Sequence, residues 1–487
     1  MLKRTAHAAI VGALALGAVS VAPAVVADQG NPSLVRTDKG VVRGTVTGTV
    51  RTFQGIPYAA PPTGERPWAP TGPAERWRGI RNATEPGAAC PQTGSVPPVG
   101  SRSDVEDCLF VNVTTPRKAA GKPRPVMVYL HGGDHTDGSG AMHGAQRLAS
   151  EGDVVVVTVN YRLAALGYLA HPGLEQRGES GNHGFLAQQA AQRWVQRNAA
   201  AFGGDPDNVT LFGQSAGGYS TCAHMTAPSS AGLFDRVILQ SAPCTADMGR
   251  RERADALRKG TDLTDTLQQD WRTAPVHKLV NGFGTGPEYG PVYGGTLLPR
   301  LPQEASASGQ FNKVPVLQGI NRYEERGRVY GFELQKKAVT RDPAAQLDQA
   351  DYDHYIEDIF KEHAPAAAAR YPVSAYGNSP ALALAAALTD GNWARHSVDS
   401  GRALSRHTPT YTYEFADGEV PWYSDAQYQK PGFDVGAAHT FELPYLFELD
   451  AHESLTPAQQ SLASGPGGIR PVDFANVHQY EFWKSLG

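Results

Sequence analysis

The chain has 487 residues, 41% of them hydrophobic, which is enough to bury a large core. Its formal net charge is −4 with acids and bases intermixed, and no basic stripe or aromatic-interleaved Lys/Arg cluster marks a nucleic-acid surface. Glycine (53) and proline (36) are plentiful, as suits a fold with many strand-to-helix turns.

The first residues read as an export signal. Lys3 and Arg4 precede an Ala/Val/Leu run from about residue 8 to 21, and Ala22-Pro23-Ala24-Val25-Val26-Ala27 supplies small residues for cleavage before Asp28. The run is too rich in Ala and Gly to hold a bilayer well. The expectation is a signal at 1–27 and a secreted mature chain, 28–487, with no membrane contact. We read that mature chain as one large domain. Four cysteines, Cys90, Cys108, Cys222 and Cys244, are an even count in an exported chain and favour two disulfides over buried free thiols. Neighbour pairing, Cys90 with Cys108 and Cys222 with Cys244, closes two short loops.

Strand-like runs follow at 41–46, 49–53, 110–113 and 126–130, the first two separated by a Thr47-Gly48 turn. Residues 154–159 are almost continuously β-branched, as expected of a strand covered on both faces. A helical pattern spans 187–198. Short buried strands are expected at 209–212, 237–239 and 314–317, and an alternating aromatic strand at 410–415. Strands alternating with helices predict an α/β fold with a mostly parallel sheet and helices on both faces. The irregular, polar stretch at 250–376 is expected to include a cap-like insertion.

Gly213-Gln214-Ser215-Ala216-Gly217 fits Gly-x-Ser-x-Gly. A serine on a sharp strand-to-helix turn needs neighbours without bulk, and the turn lifts its hydroxyl above the sheet. The pentapeptide alone is a weak signal. Its setting strengthens it, because a buried strand precedes Ser215 and a small-residue helix start, Gly217-Gly218-Tyr219-Ser220, follows.

The longer stretch Asn208 to Gly218 resembles the active-site signature of the type-B carboxylesterases, the family of α/β-hydrolases that includes the cholinesterases. Phe53-Gln54-Gly55-Ile56-Pro57-Tyr58 and Glu106-Asp107-Cys108-Leu109-Phe110 resemble two further motifs of that family. The resemblance implies a serine carboxylesterase that needs no metal or organic cofactor and takes a small-molecule ester. It makes Ser215 the nucleophile. Gly436-Ala437-Ala438-His439 resembles the family's histidine loop, which makes His439 the general base; His143, His183 and His224 are read as structural. Gly319-Ile320-Asn321-Arg322-Tyr323-Glu324-Glu325 resembles the stretch that carries the acid. Counting from Gly319 and Asn321 puts the acid on Glu324, with Glu325 the alternative, since Tyr323 and Glu325 stand where the family has Asp and Gly. Ser241 matches a serine that supports the acid.

Acyl transfer also needs N–H donors for the developing oxyanion. The expected donors are Ala216 and the loop His131-Gly132-Gly133-Asp134, where Gly132, Gly133 and Asp134 follow a strand. Asp134 replaces a usual Gly or Ala, so its Cβ and charge bear on that hole. Metal binding is not expected: no Cys-x-x-Cys occurs, and His131 and His135 share a Gly-rich loop rather than a helix face. Other readings on the same scaffold are a lipase and a non-catalytic binding protein. An intact Ser, Glu and His set argues against the latter.

Overall fold

The computed structural model describes residues 31–486 except 65–66, 95–100, 119, 176–179, 247–250, 268–269, 282–288, 426–428 and 465–468. The expected export signal lies outside the described residues. In chain order the strands are β1 (Leu34–Arg36), β2 (Val41–Arg43), β3 (Thr45–Val46), β4 (Val50–Pro57), β5 (Ile80–Asn82), β6 (Phe110–Pro116), β7 (Arg124–Leu130), β8 (Val155–Val159), β9 (Gly204–Gln214), β10 (Arg236–Gln240), β11 (Val316–Asn321) and β12 (Thr410–Phe415).

Nine of them form one sheet in the order β12-β11-β10-β9-β7-β8-β6-β4-β3. The six strands from β12 to β8 run parallel, and β6, β4 and β3 add an antiparallel edge. β8 is wholly buried, because helices cover both faces of the sheet. The run expected at 41–46 divides at Gly44. β2 joins a separate three-stranded sheet with β1 and β5, while β3 joins the large one. A Cβ on Gly44 would lie 2.2 Å from the Thr52 carbonyl oxygen, so only glycine lets the chain cross there. β11 starts two residues later than expected, just past Pro315, which has no N–H to give a ladder.

The stretch at 250–376 contains β11 in its middle, so its helices fall into two parts, and none of its described residues lines the cavity beside Ser215. Helices Arg253–Asp265, Val276–Asn281 and Pro302–Ser308 precede the strand. Helices from Arg326–Thr340 to Pro380–Thr389 follow it and enclose their own apolar cluster around Tyr352, Ile356, Leu384 and Leu388. The C-terminal Trp483 packs into that cluster and donates its indole N–H to Tyr371 at 2.8 Å. Disulfides join Cys90 to Cys108 and Cys222 to Cys244.

The strand order reverses between β7 and β9. From β7 the chain moves outward to β8, crosses back to β9, then moves the other way to β10. Loops leaving the carboxyl ends of such a pair diverge and open a crevice between them. Here those loops begin at His131 and Ser215.

Candidate active site

Ser215 follows β9 directly and precedes the helix Ala216–Thr226. Its φ of 54° and ψ of −124° lie outside the ordinary wells of a non-glycine residue. The surroundings enforce this. The Ser215 N–H donates to the Gln240 carbonyl at 2.9 Å. A Cβ on Gly213 would lie 2.4 Å from the Gly217 backbone, and one on Gly217 only 1.9 Å from the Leu130 carbonyl oxygen. Both glycines are therefore steric requirements of the turn. Ala216 opens the helix, where backbone N–H groups lack intrahelical partners.

The loop after β7 passes close beside this turn. A Cβ on Gly132 would sit 3.2 Å from Ser215 Cβ. Gly133, Asp134 and His135 then take positive φ values of 105°, 53° and 58° in succession. Tight anchoring holds this run: Gly133 O accepts from the N–H groups of Thr136 and Asp137, both at 2.9 Å, and His135 O accepts from Ala164 N–H at 2.7 Å. The His135 ring reaches the Ser220 hydroxyl at 3.0 Å, tying the loop to the helix behind Ser215. Asp134 is exposed at the mouth of a cavity that it lines together with Gly132, Gly133, Ser215 and His439.

Glu324 sits in the loop that leaves β11. Its Oε2 meets His439 Nδ1 at 2.6 Å. Its Oε1 accepts from the Ser241 hydroxyl at 2.6 Å and from the Asn321 N–H at 2.8 Å. Glu324 is fully buried, so every oxygen contact must come from the protein. Glu325 turns away from the imidazole; its Oε1 accepts from the Trp393 indole N–H at 2.6 Å. On the other side of the ring, His439 Nε2 lies 3.2 Å from the Gln214 amide nitrogen.

Electrostatics separate His439 from the other histidines. Burial pulls the imidazoles of His131 and His452 down to about 4 and those of His135, His143, His183 and His224 down to about 3. Burial opposes the charged form of His439 too, but the carboxylates of Glu324, Glu442 and Asp134 outweigh it and push it up to about 9. Glu442 is itself raised to about 7, by burial first and then by the nearby Glu324 charge. An Asn321 Nδ2 donor at 2.6 Å partly offsets this.

His131 and His135 do not converge: His131 Nδ1 donates to Gly132 O at 2.8 Å, while His135 faces Ser220. Among the described residues no group of three His, Cys, Asp or Glu side chains is arranged to hold a metal. The cavity has a volume of about 270 Å³, and Met142, Tyr423, Leu443, Leu449 and Ala451 give it an apolar wall.

The Carboxylesterase family model matches residues 31–464, nearly the whole described chain. The chain belongs to the carboxylesterase family. It is 34% identical to the fumonisin B1 esterase of Sphingopyxis macrogoltabida over 457 residues, covering 90% of this chain and 79% of that one. It is 32% identical to the para-nitrobenzyl esterase of Bacillus subtilis (strain 168) over 452 residues, covering 88% and 85%. A solved structure of PNB esterase superposes with a TM-score of 0.71 at 29% identity, over 89% of this chain and 88% of that one. The fold is that of the α/β-hydrolases and the enzyme is a carboxylic ester hydrolase.

Four residues around His439 and its cavity escaped the sequence reading. Glu442 lies three residues past His439, and that spacing was the available signal. Trp393 packs its ring 4.9 Å from the imidazole but lies 46 residues earlier in the chain, with no local pattern to mark it. His452 and Tyr423 reach the cavity from loops of no regular period.

Proposed function

We propose that this carboxylesterase works through Ser215, His439 and Glu324. The observation that carries the reading is the 2.6 Å contact between His439 Nδ1 and a buried Glu324, next to a serine strained at the end of β9. Glu324 holds the proton on Nδ1, which leaves the lone pair on Nε2 for the hydroxyl of Ser215. As substrate enters, Nε2 exchanges the Gln214 amide for that hydroxyl. Ser215 Oγ then bonds to the ester carbonyl carbon while its proton passes to Nε2. The tetrahedral oxyanion takes N–H donors from Gly133, Asp134 and Ala216, with Gly132 allowing the close approach. Collapse breaks the bond to the alcohol oxygen, which leaves with the proton from Nε2. Water repeats the sequence on the acyl-enzyme and releases the acid.

The apolar wall and modest volume favour small uncharged esters with an apolar group. Two disulfides and the expected signal support an exported protein. Labelling with a fluorophosphonate probe, and turnover of nitrophenyl esters of increasing acyl length, test the reading. We expect labelling at Ser215 and loss of both signals in Ser215→Ala. Folded protein that resists the probe overturns it.

A further inference from the structure

Glu325 has no part in the proposed chemistry, yet it is a carboxylate only 4% exposed. Its environment accounts for it. Trp393 is 6% exposed, and an indole N–H can only donate, so it needs an acceptor once buried. Glu325 Oε1 is that acceptor, at 2.6 Å. Charge-assisted contacts of this kind are stronger and more directional than neutral ones. The Glu325 backbone N–H is also fixed, donating to Thr389 Oγ1 at 3.2 Å. The opposite carboxylate oxygen lies 3.6 Å from an exposed guanidinium, Arg328.

The indole so fixed lies against the ring of His439, centroid to centroid 4.9 Å, inclined at 42°. Trp393 sits in a π-helical segment, Asp390–Ala394, between the helices Pro380–Thr389 and Arg395–Ser405. The wider turn rotates its side chain away from the direction an unbroken α-helix would give. With glycine at 325 the indole N–H would lose its acceptor and the ring its orientation.

We propose that Glu325 and Trp393 form a positioning pair. Glu325 orients the indole, and the indole braces one face of the His439 imidazole and favours the imidazolium formed during each proton transfer. This rests on the role proposed for His439 above. The other groups facing that imidazole are Glu324 from the loop after β11, Glu442 from its own loop, Asp134 from the loop after β7, and the uncharged Gln214 from the end of β9.

The test uses the mature enzyme with active sites counted by fluorophosphonate labelling and folding checked by melting temperature. Four variants are compared: Glu325→Leu, Glu325→Gln, Trp393→Phe and the double variant Glu325→Leu/Trp393→Phe. Glu325→Leu and Trp393→Phe should each lower kcat about ten-fold at unchanged KM, the effect of a loosened general base. The acidic limb of kcat/KM should move to lower pH in both, because the imidazolium loses its aromatic face. Glu325→Gln keeps an acceptor and should recover most of the rate. The double variant should be no slower than the slower single one, since both break the same contact. Folded Glu325→Leu with wild-type kcat and pH profile overturns the pairing, as do losses that multiply, or a Glu325→Gln enzyme as slow as Glu325→Leu. If Glu325→Leu does not fold, Trp393→Phe and Glu325→Gln decide the matter by the same criteria. A wild-type enzyme that neither labels nor turns over would instead remove the role proposed for Ser215 and His439.

Discussion

Asp134 and His439 line one cavity, and the carboxylate of the first raises the basicity of the imidazole of the second. Asp134 thus stands beside the general base proposed here and inside the loop proposed to bind the oxyanion. Its φ of 53° suits glycine better than aspartate, so Asp134→Gly should fold well. Replacement also removes a negative charge from the cavity in which the oxyanion is proposed to form. Asp134→Gly should raise kcat on a neutral ester, and Asp134→Asn, which keeps a residue tolerant of left-handed backbone, separates charge from geometry. Unchanged kcat in both would show that the carboxylate points away from the oxyanion, and lower kcat would show it to be useful.

The pH profile follows from the same carboxylates. A general base must be unprotonated, and His439 is pushed up from its ordinary 6.5 to about 9. The acidic limb of kcat/KM should therefore lie above 6.5, with activity still climbing through neutral pH. Removing the Asp134 charge lowers the imidazole pKa and should shift that limb to lower pH. A rate already level below pH 6.5 in the wild type would contradict this.

Ser241 donates to the same Glu324 oxygen that accepts from Asn321 N–H. Ser241→Ala removes one of the hydrogen bonds that hold the buried carboxylate in place. A hydrogen bond to a charged group contributes about 1.5–3 kcal/mol, so kcat should fall by roughly ten-fold or more. KM should change little, because Ser241 is not among the residues that line the cavity. A KM effect with unchanged kcat would place Ser241 in substrate binding instead.

Gly217 allows no side chain. A Cβ there would meet the Leu130 carbonyl oxygen at 1.9 Å, a backbone atom at the end of β7 rather than the end of a flexible side chain. Gly217→Ala should abolish esterase activity and fluorophosphonate labelling. Soluble Gly217→Ala protein with wild-type turnover would mean that the turn is more plastic than its packing indicates.

His478 ties the C-terminal segment to the body. Its Nδ1 meets Asp390 at 2.5 Å and its Nε2 meets Glu414 at 2.7 Å, with the side chain 4% exposed. Burial opposes its charge, but the two carboxylates raise it to about 9. Because the folded protein binds this proton more tightly than the unfolded chain, the stabilisation is complete below about 6.5 and fades as pH rises through about 9. Glu414 is shifted the other way: burial raises it, but His478 and Arg322 together hold it below its usual range, so its contribution fades toward acid. His478→Ala leaves two buried carboxylates short of a partner and should cost about 3–5 kcal/mol. Melting temperature measured from pH 6 to 10 should fall in the wild type and stay flatter in His478→Ala, apart from losses shared by both. Equal slopes would rule out this ion pair as the source.

The chain's own residues disclosed the alternation of strands and helices and the tight turn at Ser215, and they framed the chain order of the partners proposed for it. These are local properties: apolar period, glycine at fixed offsets and motifs of a few residues. Even the choice between Glu324 and Glu325 was framed there, though adjacent carboxylates in a loop carry no local sign of which one turns inward. Only the tertiary structure places the two side chains differently. Glu324 faces His439 and Ser241, residues 115 and 83 positions away, while Glu325 meets Trp393, 68 positions away. The same applies to the raised basicity of His439 and to the docking of the C-terminus through His478. Each depends on charges that only folding brings within a few ångströms, in a buried setting where they are strong.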